Sequence, residues 1–431
     1  MSEVRRLQVK SLARVEGQGS LRVRLVDGAV EIAEFSIYEP PRFFEKLVRG
    51  REIREVPDIV ARICGICPVA YQLTACVALE KALGIAVTSD IRRLRRLLYC
   101  GEWIQSHALH VHLLHLPDFL GVESGFALAT THPELVHRGL RLKALGSRIM
   151  EVVGGRAVHP VNVTVGGFYR APQAAELRGL VAELEWALVA ALDLVAEVSR
   201  LDFPGAARDY ECVALRPAAG YPLDDGRIVS TGGLAIDADD YQRHFLERQV
   251  PWSTALESVM LPDEQPYLVG PLARINLCYD RLPPAARRAA ETSGLEFPLR
   301  RSSQSIVARA VEIVSACEEA LAIARDAVAD ISPCRLDVVP RAGAACHATE
   351  APRGLLWHRY EIGDDGLIAG AAIVPPTSQN QGMIAADLQA TLPGVIDLDD
   401  AAVTLACERV IRDYDPCISC ATHFLTLAID R

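Results

Sequence analysis

No stretch of this 431-residue sequence is built to cross a membrane as a helix. The apolar run Trp186 to Leu192 is closed off by Glu185 and Asp193, far short of the roughly 20 residues that a spanning helix needs. A longer uncharged run, Gly366 to Ala386, is interrupted by Pro375, Pro376, Gln379, Asn380 and Gln381 and reads as buried loop. The N-terminus, MSEVRRLQVKSLARVEG, lacks the apolar segment of a signal peptide, so a cytoplasmic location is expected. Excess positive charge is missing as well. The formal net charge of −10 argues against nucleic acid and anionic membrane surfaces as partners and suits docking to other proteins. There is no internal repeat, no low-complexity tract and no GxGxxG after a predicted strand, so any nucleotide is expected to bind elsewhere.

Half of the residues are hydrophobic and 23% are charged, which is ample for a large core and excludes disorder. At about 150 residues per domain the length suggests two or three domains, or one large one. Residues 5–38 alternate apolar and polar around Gly17, Gly19 and Gly28 and predict a β-hairpin or small sheet. Beyond it the signals are helical. Residues 88–116 space Ile91, Leu94, Leu97, Leu98, Ile104, Leu109, Val111 and Leu114 as one helical face, and 133–153 continue the pattern. The clearest helix is 174–201, with Leu177, Leu180, Leu184, Leu188, Leu192, Val195 and Val198 in line. Further helices are predicted over 302–330 and 399–412, with proline- and glycine-rich connections at 202–235, 261–272 and 364–380. The expected fold is mainly α: a large multi-helical body, 41–423, behind an N-terminal β-appendage, 1–40, in one domain with no readable internal boundary.

Of twelve cysteines, eight are scattered singly and read as buried core thiols: Cys76, Cys100, Cys212, Cys278, Cys317, Cys334, Cys346 and Cys407. The other four form two CxxC pairs, Cys64/Cys67 and Cys417/Cys420. Two intervening residues let the chain turn back so that both sulfurs can reach one metal. Four thiolates select soft or borderline metals such as zinc, nickel or iron. Structural zinc ribbons place their pairs about 15–20 residues apart. Here most of the protein lies between them, as a buried central active site would require. His107, His110, His112 and His115 also look like a metal cluster, but core or interface histidines are the preferred reading.

The flanking residues narrow the choice. RICGICP and DPCISCATH, one near each end, resemble the two signature motifs of the nickel–iron hydrogenase large, catalytic subunit. Weaker family-like segments fall in order around them: Ala13-Arg14-Val15-Glu16-Gly17, Gly154-Gly155 with His159-Pro160 and Gly166-Gly167, Glu350-Ala351-Pro352-Arg353-Gly354, and Val374-Pro375-Pro376-Thr377. The resemblance covers nearly the whole chain. It implies reversible heterolytic cleavage of H2 into protons and electrons at a Ni–Fe centre. Cys64, Cys67, Cys417 and Cys420 would bind nickel, and Cys67 and Cys420 would bridge to an iron carrying CO and cyanide. It implies that Glu16 relays the proton from a nickel-bound cysteine, where the plain alternative is a surface glutamate in a hairpin. Arg353 would overhang the open metal position, where the alternative is an ordinary salt bridge. Pro352, Leu356, Val374 and Pro375 would line the pocket, and Glu45 and His423 would hold a magnesium ion.

By the same resemblance, residues 424–431 form a tail removed by a maturation endopeptidase after metallochaperones have delivered the metals. No further cysteine motif can carry electrons away, so a small subunit with Fe–S clusters is implied, and flavin-containing diaphorase subunits are plausible further partners. Some positions depart from the family pattern: Tyr71 stands where many members have histidine, Gln18 follows the RVEG motif, and Ser106 replaces an aspartate. With PVAYQ, VPPTSQNQ and CISCATHFL these departures look most like the cytosolic NAD(P)-linked or sulfhydrogenase branch. A structural zinc protein and the complex-I subunit that shares this fold are the alternatives. The flanking motifs disfavour the first, and the presence of all four cysteines disfavours the second. A hydrogen sensor is disfavoured by the tail.

Overall fold

In the computed structural model, residues 4–326 and 333–422 are described. The chain opens with an antiparallel sheet of Val4–Val9, Gly19–Val26 and Ala29–Ile37. Leu21, Val23 and Leu25 alternate with exposed or half-buried neighbours, so one face is buried. Asp27 and Gly28 join the second and third strands, both with positive φ (49° and 77°), which suits the tight turn of a hairpin. The sheet is less of an appendage than expected. Its inner face merges with the main core, and the backbone of Ile37 is hydrogen-bonded to Ser253 and Thr254.

The body is mainly helical. Ser89–Leu109 packs against both Pro133–Gly154 and Ser305–Arg325, and the last packs in turn against Val181–Val198. Gly101 and Gly146 mark the first crossing. A Cβ at Gly146 would lie 2.5 Å from the carbonyl oxygen of Gly101, so only glycine permits that approach. The helix predicted over 88–116 is regular only to Leu109. His110–His115 then form a wide π-helical turn, followed by Leu116–Phe119. The helix predicted over 174–201 is split at Gly179 into Ala174–Arg178 and Val181–Val198.

Two segments expected to be connections are regular elements. The run 364–380 contains the strand Ile368–Val374 and begins the helix Pro376–Thr391, so the reading of 366–386 as a buried loop is corrected: it is buried, but it is not loop. That helix shows no apolar stripe because Thr377, Ser378, Gln379, Asn380 and Gln381 are all buried. Their side chains serve neighbouring backbone: Asn380 accepts from Val269 N and donates to its carbonyl, and Gln379 donates to Leu355 O. The region 202–235 contributes Val213–Arg216 and Arg227–Ser230 to a second small sheet. The helix Pro68–Leu83 and the antiparallel sheet Gly343–Ala351, Gly354–Ile362 and Ile368–Val374 were not anticipated either.

Candidate metal centre

The first cysteine pair lies where one helical run ends and another begins. Val56–Val60 and the 3-10 turn Ala61–Ile63 deliver an extended Cys64, and Cys67 is the residue before the helix Pro68–Leu83. Proline suits the first helical position, where its missing N–H costs nothing. The free N–H groups of Val69 and Ala70 in that first turn are taken by the fully buried Glu102, at 2.6 and 3.1 Å. Burial pushes the Glu102 carboxyl well above the usual range.

The second pair follows the helix Asp400–Asp413. Asp415 adopts a left-handed backbone (φ 51°) that reverses the chain, and Cys417 precedes the single turn Ile418–Ala421. Three contacts from distant segments seat it. Cys417 N donates to Thr377 Oγ1 at 3.0 Å, Ile418 N donates to Glu16 O at 3.0 Å, and Arg42 donates from one guanidinium nitrogen to both Ile63 O and Ser419 O. Arg42 thereby ties the two cysteine motifs together.

All four cysteines are buried and their sulfurs lie within 4.8 Å of one another. Cys64 Sγ is 3.4 Å from Cys417 Sγ, Cys67 Sγ is 3.5 Å from Cys420 Sγ, and Cys417 Sγ is 2.9 Å from Cys420 Sγ. None of the twelve cysteines is in a disulfide. Hydrogen bonds from Cys417, Cys420 and Cys67 hold the Cys64 thiol well below its ordinary range, whereas burial pushes Cys417 and Cys420 up. Four sulfurs this close and this dry cannot all ionise unaided. The donor set fits a soft or borderline cation among them. Among the described residues it is the only such grouping of potential metal ligands.

Glu16 stands at the edge of this cluster. Its carboxylate accepts from Cys417 Sγ at 3.2 Å, Ser419 N at 3.0 Å and Ser419 Oγ at 2.6 Å. Ser419 Oγ also reaches Glu39 at 3.4 Å, and burial followed by the charge of Glu16 raises the Glu39 carboxyl. Arg353 is buried at the tip of the hairpin that joins Gly343–Ala351 to Gly354–Ile362. Its Nε donates to Asp415 O at 2.7 Å and its Nη2 to Asp415 Oδ1 at 3.1 Å, while the buried Nη1 has no protein acceptor. Burial alone would lower its pKa, but Asp415 and then the cysteines outweigh that and hold the guanidinium charged.

Among the expected pocket residues, Leu356 is buried in the strand after Arg353, and Pro375 leads into the helix that carries Thr377. Val374 belongs to a separate small core with Trp357 and Tyr267. The Glu45 carboxyl accepts from Ile373 N at 2.7 Å, and burial pushes it up to about 7. The half-buried Glu247, which carries no signal in the sequence, is pushed up to about 8 by desolvation and then by the charge of Glu45. His423 and the tail 424–431 lie outside the described residues.

The four histidines, His107 at the end of Ser89–Leu109 and the other three in the π-helical turn, form no metal-ligand group. His107 faces Glu312, His110 faces Arg412 O, His112 faces Ala108 O and His115 faces Asp413. Tyr71 is buried, and burial and then the charges of Cys420 and Cys67 raise its phenol well above the ordinary value. Asp415 and Ser419 sit inside a recognised motif and could have been singled out from it. Thr377 closes the family-like segment Val374–Thr377, whereas Arg42, Glu39 and Glu102 carry no local signal.

The sequence matches the family model described as nickel-dependent hydrogenase over residues 42–135 and 262–423. It is 31% identical to sulfhydrogenase 1 subunit alpha of Pyrococcus furiosus, over 98% of either chain. It is 30% identical to the NAD-reducing hydrogenase HoxS subunit beta of Cupriavidus necator, over 98% of this chain and 95% of that one. A solved NAD+-reducing [NiFe]-hydrogenase in the H2-reduced state superposes with a TM-score of 0.88 at 30% identity, covering 97% of this chain and 99% of that one. No helix among the described residues is long and apolar enough to cross a membrane. Two cysteine pairs converging from opposite ends of the chain, together with relatives that match along its length, establish that this protein belongs to the nickel-dependent hydrogenase family as a catalytic, large-type subunit.

Proposed function

We propose that Cys64, Cys67, Cys417 and Cys420 would hold the Ni–Fe centre, Cys67 and Cys420 serving the iron as well as the nickel. The convergence of these four buried sulfurs is the observation that carries the reading. When bound, such a centre supplies the heterolytic cleavage of H2 and its reverse. The chain's own residues do the rest. Cys417 Sγ is within hydrogen-bond reach of Glu16, so the thiol can hand a proton to that carboxylate and, past Ser419, to the half-buried Glu39. Arg353, fixed by Asp415, offers the unshared Nη1 end of its guanidinium to charge that develops beside the sulfurs. Pro352, Leu356, Val374 and Pro375 would shelter CO and cyanide on the iron.

Glu45, with His423, is proposed to hold magnesium. Two half-buried carboxylates, Glu45 and Glu247, with the charge of Glu45 raising Glu247, suit a hard cation. Arg42 N donates to Thr422 O, which seats residue 422 beside the segment that leads into the Glu45 helix. Removal of 424–431 by an endopeptidase, a partner subunit with Fe–S clusters, electron transfer to NAD(P) through diaphorase subunits and a cytoplasmic setting belong to the same proposal. The partner subunit and the link to NAD(P) are supported by the likeness to a sulfhydrogenase subunit alpha and an NAD-reducing hydrogenase subunit beta.

The test is metal analysis and infrared spectroscopy of protein produced with its maturation partners. One nickel and one iron per chain, with CO and cyanide bands, are expected, and Cys417→Ala should abolish both. Zinc alone, without those bands, would overturn the assignment.

A further inference from the structure

We infer that Arg274 is a positioning residue that holds the Arg353 hairpin at the metal centre, an inference that rests on the reading of Arg353 above. Arg274 lies in the helix Pro271–Cys278 and is completely buried. All five N–H groups of its guanidinium are accounted for. Nε and Nη2 donate to the two oxygens of Glu312, each at 2.7 Å. Nη1 donates to Glu350 Oε2 and to Ala351 O, both at 2.9 Å, and Nη2 also reaches Pro352 O at 3.0 Å. The guanidinium carbon stands 4.4 Å from the centre of the Trp103 ring. One buried cation thus grips the side chain or carbonyl of each of the three residues before Arg353.

The same helix braces the hairpin a second time, through backbone. Gly270, the residue before its first turn, has φ 109°, and a Cβ there would lie 2.7 Å from the carbonyl oxygen of Arg353. Gly354, with φ 135°, is pressed just as closely against Gly270 N and Val269. The turn Pro352–Arg353 is therefore clamped by Arg274 on the carbonyls leading into it and seated on Gly270 at the carbonyl leading out. Glu312 and Glu350 are anchored independently, Glu312 by Tyr221 OH at 2.9 Å and Glu350 by Leu215 N at 2.7 Å. The clamp is thus fixed to the body rather than floating with the hairpin.

The consequence falls on the other end of Arg353. Its two hydrogen bonds to Asp415, at 2.7 and 3.1 Å, have little slack, so a shift of the hairpin tip by about 1 Å breaks them and swings the guanidinium. Lysine at 274 keeps the charge but offers three donors from a single point and cannot span Glu312, Glu350 and both carbonyls.

The experiment uses the matured enzyme with its partner subunit. Arg274→Lys, Arg353→Lys and the double variant are compared with wild type for nickel and iron content, CO and cyanide band positions, thermal unfolding, and kcat and KM for H2 with a dye acceptor. Arg274→Lys is expected to load both metals, to move the infrared bands in the direction that Arg353→Lys moves them, and to lower kcat by about tenfold or more with KM little changed. In the Arg353→Lys background it should lower kcat further by less than about twofold, because the group it positions is already gone. Equal losses in both backgrounds, or unshifted bands with only a lower unfolding temperature, would reduce Arg274 to a packing residue and overturn the inference. If Arg274→Lys does not accumulate, Arg274→Gln combined with Glu312→Gln and Glu350→Gln removes the clamp together with both carboxylates it neutralises, and it is judged by the same criteria. Wild-type protein without nickel, iron or the bands would instead refute the metal assignment, which separates the two failures.

Discussion

Replacing Glu16 by glutamine tests the proton route with little structural disturbance. Three donors converge on its carboxylate: Cys417 Sγ and Ser419 N on Oε2, and Ser419 Oγ on Oε1. In Glu16→Gln the amide oxygen can take the Oε2 place and keep the bond from Ser419 N. The amide nitrogen then faces Ser419 Oγ, a hydroxyl that can turn and accept. Every protein hydrogen bond is retained in some form, so stability should stay within about 1 kcal/mol of wild type. What the amide cannot do is receive a proton from the Cys417 thiol. A positioned acid–base group is worth about 10² to 10⁴ in rate, or about 2.7 to 5.5 kcal/mol of barrier. The assay is H2-dependent dye reduction by the matured heteromer, together with exchange of D2 against solvent protons. Metal content and infrared bands serve as loading controls. Both rates should fall by at least about a hundredfold at full loading, and Glu16→Asp, one methylene short of the sulfur, should fall between the two. Wild-type rates in fully loaded Glu16→Gln would refute the route through Glu16 and turn attention to groups on the Arg353 side.

Two further expectations concern the scaffold. Gly270→Ala places a methyl 2.7 Å from Arg353 O at φ 109°. It should cost about 2–3 kcal/mol, read as a lower denaturant midpoint, and an unchanged midpoint would mean that the hairpin is not pressed on that glycine. Acid should unfold the protein early. Burial lowers His107 and His112 to about 4 and His347 to about 3, so these rings stay neutral in the folded state but bind protons below about 6.5 once unfolded. Their depressed folded-state values mean that stability is full above pH 6.5 and is lost as pH falls towards 4. The slope is about 1.4 kcal/mol per pH unit for each ring, about 4 for the three. Denaturant midpoints at pH 7.5, 6 and 5 should show that decline, and a flat profile would contradict buried neutral rings.

The metal site was legible in the sequence because its chemistry is concentrated in a few residue types. Two CxxC pairs at opposite ends of the chain name four candidate ligands without any knowledge of the fold. Glu16 and Arg353 were reachable through the short motifs around them, RVEG and EAPRG. The amphipathic helices were legible for the complementary reason. Pro133–Gly154 and Val181–Val198 bury one stripe of a regular period, and period is a local property. The N-terminal strands were legible because a sheet buried on one face must alternate.

Other parts have no such local trace. Gly343–Ala351 is a run of small residues whose strand character comes from pairing with Gly354–Ile362, and Pro376–Thr391 buries polar groups all round, so no period betrays it. The connections that make a site out of four cysteines are of the same kind. Arg42 bonds to carbonyls of both motifs, Glu102 caps the helix that Cys67 begins, and Arg274 grips the hairpin that presents Arg353. Each is a charged residue of ordinary type in an unremarkable local sequence. The sequence alone determined which atoms could bind the metals, because sulfur is chemically distinctive wherever it lies. Only the tertiary structure decided what fixes those atoms in place, because a buried charge takes its meaning from the carbonyls and carboxylates that surround it, and these come from distant parts of the chain.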